Sequence, residues 1–384
     1  MSPGSPDADV GAVWDPVVTV EVAATDGAAR TGSVRTPRGR FTTPCFMPVG
    51  TRAAVRTLAS DDLERLGAEV VLANTYHLML RPGAETIAAL GGLHGFSAWS
   101  GHVLTDSGGY QVFSLGPAVT EEGATFRSTY DGSRHTLTPE SAVALQQQLG
   151  ADIQMVLDVC PALPAERDVI RDAVDRTARW AARARAAHAP SRAEGGTQAL
   201  FGIVQGGVDE ALRRESAERT VALGFDGYGI GGLSVGESRA EMLPALAAAL
   251  DVLPTDRPRY LMGVGDPLGL VEAIALGVDM FDCVLPTRLA RHGTILTTDG
   301  RLNLRNARYA TDAEPLDPAC ACAVCGRWSR AYLRHLLQVQ EPTAARLLTL
   351  HNVAWLLELV TRARLAVAEG RLAALRAEIA ERWS

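Results

Sequence analysis

DMFDCVLP (279–286) is the last of eight short apolar runs that set the rhythm of this chain. The others are CFMPVG (45–50), EVVLANT (69–75), HVLTDSG (102–108), IQMVLDVC (153–160), LFGIVQGG (200–207), GYGIGGL (227–233) and RYLMGVG (259–265). Most end near glycine or a polar residue, and a segment long enough for a helix follows each. Strands alternating with helices pair in parallel, because each crossover returns the chain to the same end of the sheet. Eight such units without the glycine fingerprint of a dinucleotide-binding sheet predict an α/β protein, a closed (β/α)8 TIM barrel.

Asn74, Asp106, Asp158, Gln205, Gly232, Gly265 and Asp282 all fall at or near the C-terminal ends of these predicted strands. Barrel enzymes build their sites on that face. Working outward, VVTVEV and TGSVRT, separated by the turn in ATDGAA, predict an antiparallel hairpin or small sheet over 17–43. Residues 114–137 carry the turn dipeptide Asp131-Gly132 and predict a hairpin over the third strand. A second insert, about 290–352, holds a cysteine cluster, and Val353 to Ser384 reads as one or two amphipathic helices packed on the barrel. Residues 1–16, rich in Pro, Gly, Asp and Ser, are expected to be a flexible tail. The remainder, 17–384, is expected to be one barrel domain.

A chain of 384 residues with 47% hydrophobic content can bury a large core, so global disorder is excluded. With no apolar run near the roughly 20 residues of a bilayer span and no basic-then-apolar start, a cytoplasmic location is expected. The net charge of −7 argues against nonspecific binding to polyanions. The charge is uneven, however: from Pro286 to Ala310, Arg288, Arg291, Arg301, Arg305 and Arg308 face a single acid, Asp299. The chain contains no lysine, so phosphate contacts must come from arginine, backbone amides or hydroxyls.

Six cysteines are too few for a disulfide scaffold, and Cys320, Cys322 and Cys325 crowd together. With His351 they supply three thiolates and an imidazole, a closed tetrahedral set for one structural Zn2+. The competing reading is reduced cysteines in a loop beside a capping histidine. Cys45 and Cys283, inside apolar runs, read as core. Asp106, Asp158 and Asp282 each end a predicted strand. Singly, any of them is also explained as a helix cap or a hydrogen-bond partner of a neighbour. Together, two carboxylates on one barrel face suit substitution at an anomeric carbon, one as nucleophile and one as proton-transfer group. An Asp acceptor, the Gln205 amide and a backbone N–H from GIGGL match the polar edge of guanine, whereas adenine leaves these groups unpaired. The plainer reading is that Gln205 and Gly232 only shape the strand ends.

From about Val17 onward these residues resemble the bacterial-type tRNA-guanine transglycosylase (queuine tRNA-ribosyltransferase) family. DSGGYQVFSL, GIVQGG, GIGGLSVGE, YLMGVG, DMFDCVLPTR with ARHG, and CxCxxC with a distant His carry the resemblance. It implies that Asp282 attacks C1′ of the anticodon wobble guanosine, position 34 of tRNAs with GUN anticodons, in a covalent mechanism. Asp106 is then the general acid/base. Asp158, Gln205 and the Gly232 amide are implied to recognise the base between Tyr110 and Met262, and the Leu233 carbonyl to accept from an incoming aminomethyl group. Ser107, Gly108, Gly109, Cys160 and Val235 complete the implied base-binding set; Cys160 and Val235 point to 7-aminomethyl-7-deazaguanine, a queuosine precursor, as the incoming base. Implied RNA contacts are Gly263, Val264 and Gly265, and Thr287, Arg288, Leu289, Ala290 and Arg291.

The resemblance further implies a homodimer, with Trp328, Tyr332, His335 and Leu347 as an aromatic-rich interface cluster; packing within the chain around the metal is the alternative. Asp266 departs from the family pattern, which often has a basic residue there. A lost phosphate contact lowers the salt slope of RNA binding by about one, so Asp266→Lys is expected to tighten tRNA binding. Rival readings are a noncatalytic RNA-binding partner subunit, a relative acting on another polynucleotide, and a glycoside hydrolase. The last suits poorly a chain with 5% aromatic residues.

Overall fold

Eight parallel strands close on themselves, with the last, Met280–Cys283, pairing with the first, Cys45–Gly50. In a computed structural model that describes residues 15 to 383, the remaining staves are Val70–Asn74, His102–Asp106, Ile153–Met155, Ala199–Val204, Gly227–Ile230 and Arg259–Leu261. The tail expected over residues 1–16 lies, as far as residue 14, outside the described residues. All eight expected runs are strands of the barrel. The fourth is shorter than expected: regular pairing ends at Met155, so Asp158 sits three residues past its strand.

The barrel is filled as its sequence dictates. Ala199 to Val204 is buried at every position, as expected for a strand covered on both faces, by the barrel interior and by helices. Helices begin where capping chemistry allows. Thr138 accepts from Ser141 N at 3.1 Å, and Pro139 occupies the first turn of Pro139–Leu149.

The N-terminal segment forms a three-stranded antiparallel sheet, Thr19–Asp26, Ala29–Thr36 and Gly39–Thr43, turning at Gly27 with positive φ. It covers the N-terminal end of the barrel. The Phe41 ring packs edge-on to His102 at 5.0 Å, and Arg30 grips Asp279 with two bonds of 2.8 and 2.6 Å. The insert expected as a hairpin is a three-stranded sheet, Ala118–Val119, Ala124–Arg127 and Arg134–Leu137. The Asp131-Gly132 turn lies at its tip as expected; the extra strand was hidden by its two-residue length.

The expected boundary at residue 352 is not a boundary. One 27-residue helix, Pro342–Ala368, runs through it and carries His351 at mid-length. Leu372–Trp383 follows and packs back against it, with Arg362 bonded to Glu378. A separate cluster including Ile295, Leu304, Leu333 and Leu348 forms the core of the C-terminal unit. None of the described helices is long and apolar enough to cross a membrane.

Candidate active site and metal centre

The C-terminal ends of the strands gather three carboxylates. Asp106 ends the third strand and is held by the second: Asn74 Nδ2 donates to its Oδ2 at 2.6 Å, and Thr75 N to its Oδ1 at 3.0 Å. Gly108 N donates to the same Oδ1 at 3.1 Å, and Gly108 reaches that turn with a left-handed φ of 81°. A Cβ there would press on the Tyr76 backbone, so only glycine fits. Burial pushes the Asp106 carboxyl up to about 7, against its amide donors and with help from the charges of Asp282 and Asp158.

Asp282 lies across the mouth on the eighth strand. Tyr260 Oη donates to its Oδ1 at 2.6 Å, and Gly263 N to the same oxygen at 2.8 Å. Burial raises its pKa, while these two donors oppose the rise. Because both bonds fall on Oδ1, Oδ2 is the oxygen left for a ligand.

Asp158 is buried beside the other two. Gln205 Nε2 donates to its Oδ2 at 2.6 Å, and burial pushes its carboxyl up to about 6. Gln205 Oε1 is a buried acceptor without a partner among the described residues. Around this pair the expected base-binding residues converge. A Cβ on Gly109 would touch Asp158, one on Gly232 would run into Gln205, and one on Gly231 would meet Met262 Sδ at 3.5 Å. Cys160 is half-buried against the same wall, its thiol pushed up to about 12 by burial, and therefore neutral rather than a nucleophile. Leu233 is buried, Val235 half-buried, and Ser107 accepts from Gly109 N through its hydroxyl. Tyr110 differs, being 61% exposed on the first turn of Gly109–Ser114.

The expected RNA contacts separate by burial. In the helix Leu285–Arg291, Thr287 and Ala290 turn inward, as does Val264 in the preceding loop, and Gly265 packs against Cys283. Their side chains are therefore not at the surface. Gly263 and Arg288 are exposed, and Leu289 and Arg291 are partly so. Arg56 and Arg288 lie near enough to Arg291 to lower its pKa, after burial, by mutual repulsion; that makes a local positive ridge on an acidic protein. Asp266 accepts from Gly269 N at 2.9 Å as the cap of Pro267–Ala275 and pairs with Arg239 at 2.7 Å.

Cys320, Cys322, Cys325 and His351 place their ligand atoms within 4.8 Å of one another, so the group can hold a metal ion. The imidazole is oriented for it. Nε2 faces the Leu296 carbonyl at 2.8 Å, which can only accept, so Nε2 carries the proton and Nδ1 is free toward the sulfurs of Cys322 and Cys325 at 3.5 and 3.3 Å. The aromatic-rich cluster expected nearby does not form one surface. Leu347 is buried in the core of the C-terminal unit and Trp328 packs on it, whereas Tyr332 and His335 are exposed.

Two structural residues escaped the sequence reading. Tyr260 lay inside a strand run as an ordinary aromatic, and Arg213 inside a helix as an ordinary surface charge. Arg213 is fully buried. The missed signal for Arg213 was its setting among apolar and small residues on the inner face of Glu210–Ala222.

Comparison with known proteins agrees with this geometry. The family model described as queuine tRNA-ribosyltransferase matches residues 25–384. Similar proteins, each named queuine tRNA-ribosyltransferase, occur in Desulforudis audaxviator (55% identical, 91% of this chain and 93% of the relative), Symbiobacterium thermophilum (53%, 93% and 88%) and Moorella thermoacetica (51%, 96% and 99%). The fold, the carboxylates at the barrel mouth and these matches together make the chain a member of the queuine tRNA-ribosyltransferase family.

Proposed function

We propose that this enzyme exchanges the wobble guanine of tRNAs with GUN anticodons for 7-aminomethyl-7-deazaguanine through a covalent Asp282–ribose intermediate. The observation that carries the reading is the pair of carboxylates held differently across one mouth: Asp282 with Oδ2 unengaged among the described residues, and Asp106 with its pKa raised to about 7. Asp282 Oδ2 attacks C1′, and the C1′–N9 bond breaks as the new C1′–O bond forms. The departing guanine takes a proton from Asp106. The incoming base gives its N9 proton to Asp106, its N9 attacks C1′, and the Asp282 carboxylate leaves.

Asp158 accepts from N1–H and the 2-amino group, Gln205 and the Gly232 amide donate at the opposite edge, and Tyr110 closes over the base above Met262. The Leu233 carbonyl receives the aminomethyl group, with Cys160 and Val235 forming its wall. Arg288 and Arg291 hold nucleotides flanking the wobble base. The Cys3His group binds Zn2+ in a structural role, with all four positions filled by protein. A cytoplasmic homodimer with Trp328, Tyr332 and His335 at its contact, within a single domain over 17–384, completes the reading.

The test is incorporation of labelled guanine into a GUN-anticodon transcript, comparing wild type with Asp282→Asn, with unlabelled 7-aminomethyl-7-deazaguanine as competitor. Incorporation that disappears in the variant and is blocked by the competitor supports the reading. A folded, metal-loaded wild type without incorporation refutes it.

A further inference from the structure

Arg213 sits beneath the base pocket, fully buried, with its guanidinium spent on main-chain carbonyls. Nε donates to Gly207 O at 2.8 Å, Nη1 to Val204 O at 3.1 Å and Gly231 O at 2.7 Å, and Nη2 to Gly232 O at 3.0 Å. No carboxylate forms an ion pair with it among the described residues. Burial lowers its pKa to about 10, so it stays cationic at neutral pH. One planar fork therefore joins two loops, the one after the fifth strand that carries Gln205 and the one after the sixth that carries Gly232.

The geometry has a direct consequence for the donor. In a trans peptide the C=O of residue i and the N–H of residue i+1 point in opposite directions. Arg213 holds the Gly231 carbonyl, so the Gly232 N–H must point away from Arg213. It points toward the pocket wall, where it interacts with the Cys160 thiol. Gly232 has a φ of 64°, which keeps its own carbonyl turned back onto the same guanidinium.

We propose that Arg213 is a positioning residue for base recognition: by clamping the carbonyls of Gly231 and Gly232, it aims the Gly232 N–H at the O6 edge of the base. The proposal rests on the reading of this pocket as a guanine site. Lysine offers three donors from a single atom and cannot span both loops as the fork does. In Arg213→Lys the Gly231–Gly232 peptide is released to rotate, while Asp282 and Asp106 keep their own partners.

The experiment measures guanine exchange with wild type, Arg213→Lys, Arg213→Gln and Arg30→Lys, a change in a buried arginine at the other end of the barrel. Melting curves are taken for each. Expected for Arg213→Lys is a rise in the KM for guanine of about tenfold, the loss of one charge-assisted bond network, with the KM for tRNA unchanged. The preference for guanine over 6-thioguanine, whose sulfur is a poor acceptor at the same position, falls in step. Arg30→Lys lowers the melting temperature without moving either quantity. Arg213 variants that melt cooperatively and keep wild-type KM for guanine and wild-type preference overturn the proposal, as does failure of both Arg213 variants to fold, which makes the residue a general support of the barrel. A wild type that exchanges no guanine refutes the base-exchange reading, and this one with it; an active wild type with unaltered variants refutes this one alone.

Discussion

The two ends of the barrel use the same residue, aspartate, in opposite ways. At the N-terminal end each aspartate precedes a strand and meets cations. Asp279 is gripped by Arg30, Asp226 by Arg192 at 2.9 Å and Asp152 by Arg38 at 2.7 Å, with the His94 ring 3.1 Å from Asp152. Each also accepts a strand amide: Arg259 N, Leu200 N and Val103 N respectively. At the C-terminal end Asp158 is buried and Asp106 and Asp282 are half-buried, each with neutral donors, and among the described residues none of them forms an ion pair. The partners of Asp152 hold its carboxyl below the usual range despite burial, whereas all three at the mouth are raised. Paired charge at one end holds the sheet together. Unpaired carboxyls at the other end are poised for proton and bond exchange, and the fold bears their desolvation.

The largest effect expected from this contrast is on turnover. Asp282→Asn should abolish guanine exchange, by roughly a thousandfold or more for loss of a nucleophile, without lowering the melting temperature, because the substitution removes a carboxyl whose ionisation the fold disfavours. Its counterpart Asp279→Asn leaves the Arg30 charge buried with a weakened partner. It should cost about 3–5 kcal/mol of stability, read by chemical denaturation, while residual folded protein still exchanges guanine. An Asp282→Asn protein that melts well below wild type, or an Asp279→Asn protein as stable as wild type, would break the comparison.

The metal centre is a third setting, in which three thiols and one imidazole converge on a single point. Cys322→Ala, or dialysis against a strong chelator, should destabilise the protein by several kcal/mol and lower its melting temperature, because the helix that carries His351 continues into the barrel core. Calorimetry with metal analysis checks this, and a single unshifted transition in metal-free protein would remove the metal from the fold's support.

A smaller effect concerns pH. The Asp106 carboxyl rises from an ordinary 3.8 to about 7 on folding. Between about pH 4 and pH 7 the folded protein therefore holds a proton that the unfolded chain has released, so this group's contribution to stability falls as pH climbs through that window. Asp158, raised to about 6, acts in the same sense over a narrower range. Asp152 acts in the opposite sense: its carboxyl is lowered, so the stability it contributes is lost as pH falls through the folded value. Asp106→Asn should flatten the decline in melting temperature between about pH 4 and pH 7, and an unchanged slope would argue against the raised pKa.

The smallest effect belongs to Asp266. Its cap on Pro267–Ala275 and its bond to Arg239 give it a structural role that the expected gain in phosphate contact overlooks. Asp266→Lys should lose about 1 kcal/mol of stability. Arg239 keeps Glu272 as a partner at 3.0 Å, so any tightening of tRNA binding comes from the added lysine and should appear as a steeper salt dependence; binding measured across a salt series decides whether both changes occur.

The barrel was legible because its signal is local. Apolar runs of strand length, repeated eight times between helical segments, fix the closed sheet, and the turn from strand to loop places Asn74, Asp106 and Asp282 at the mouth without knowledge of any contact. Three cysteines within six positions announce the metal group, and His351, 26 residues further on, completes a tetrahedral set of soft ligands. The three-stranded insert and the helix running through residue 352 were less legible: a two-residue strand carries no period, and an apolar helix gives no sign where a neighbouring unit begins.

What the sequence could not determine is which charges meet. Arg30 and Asp279 are 249 positions apart, and Tyr260 finds Asp282 only because the seventh and eighth strands lie side by side. Arg213 looks like any helical arginine until the helix packs its face against two loops and leaves four carbonyls as its partners. Spacing along the chain encodes periodicity and ligand clusters, whereas the partner of a buried charge is set by packing between distant segments, and this alone separates the aspartates that hold the barrel from those placed to act.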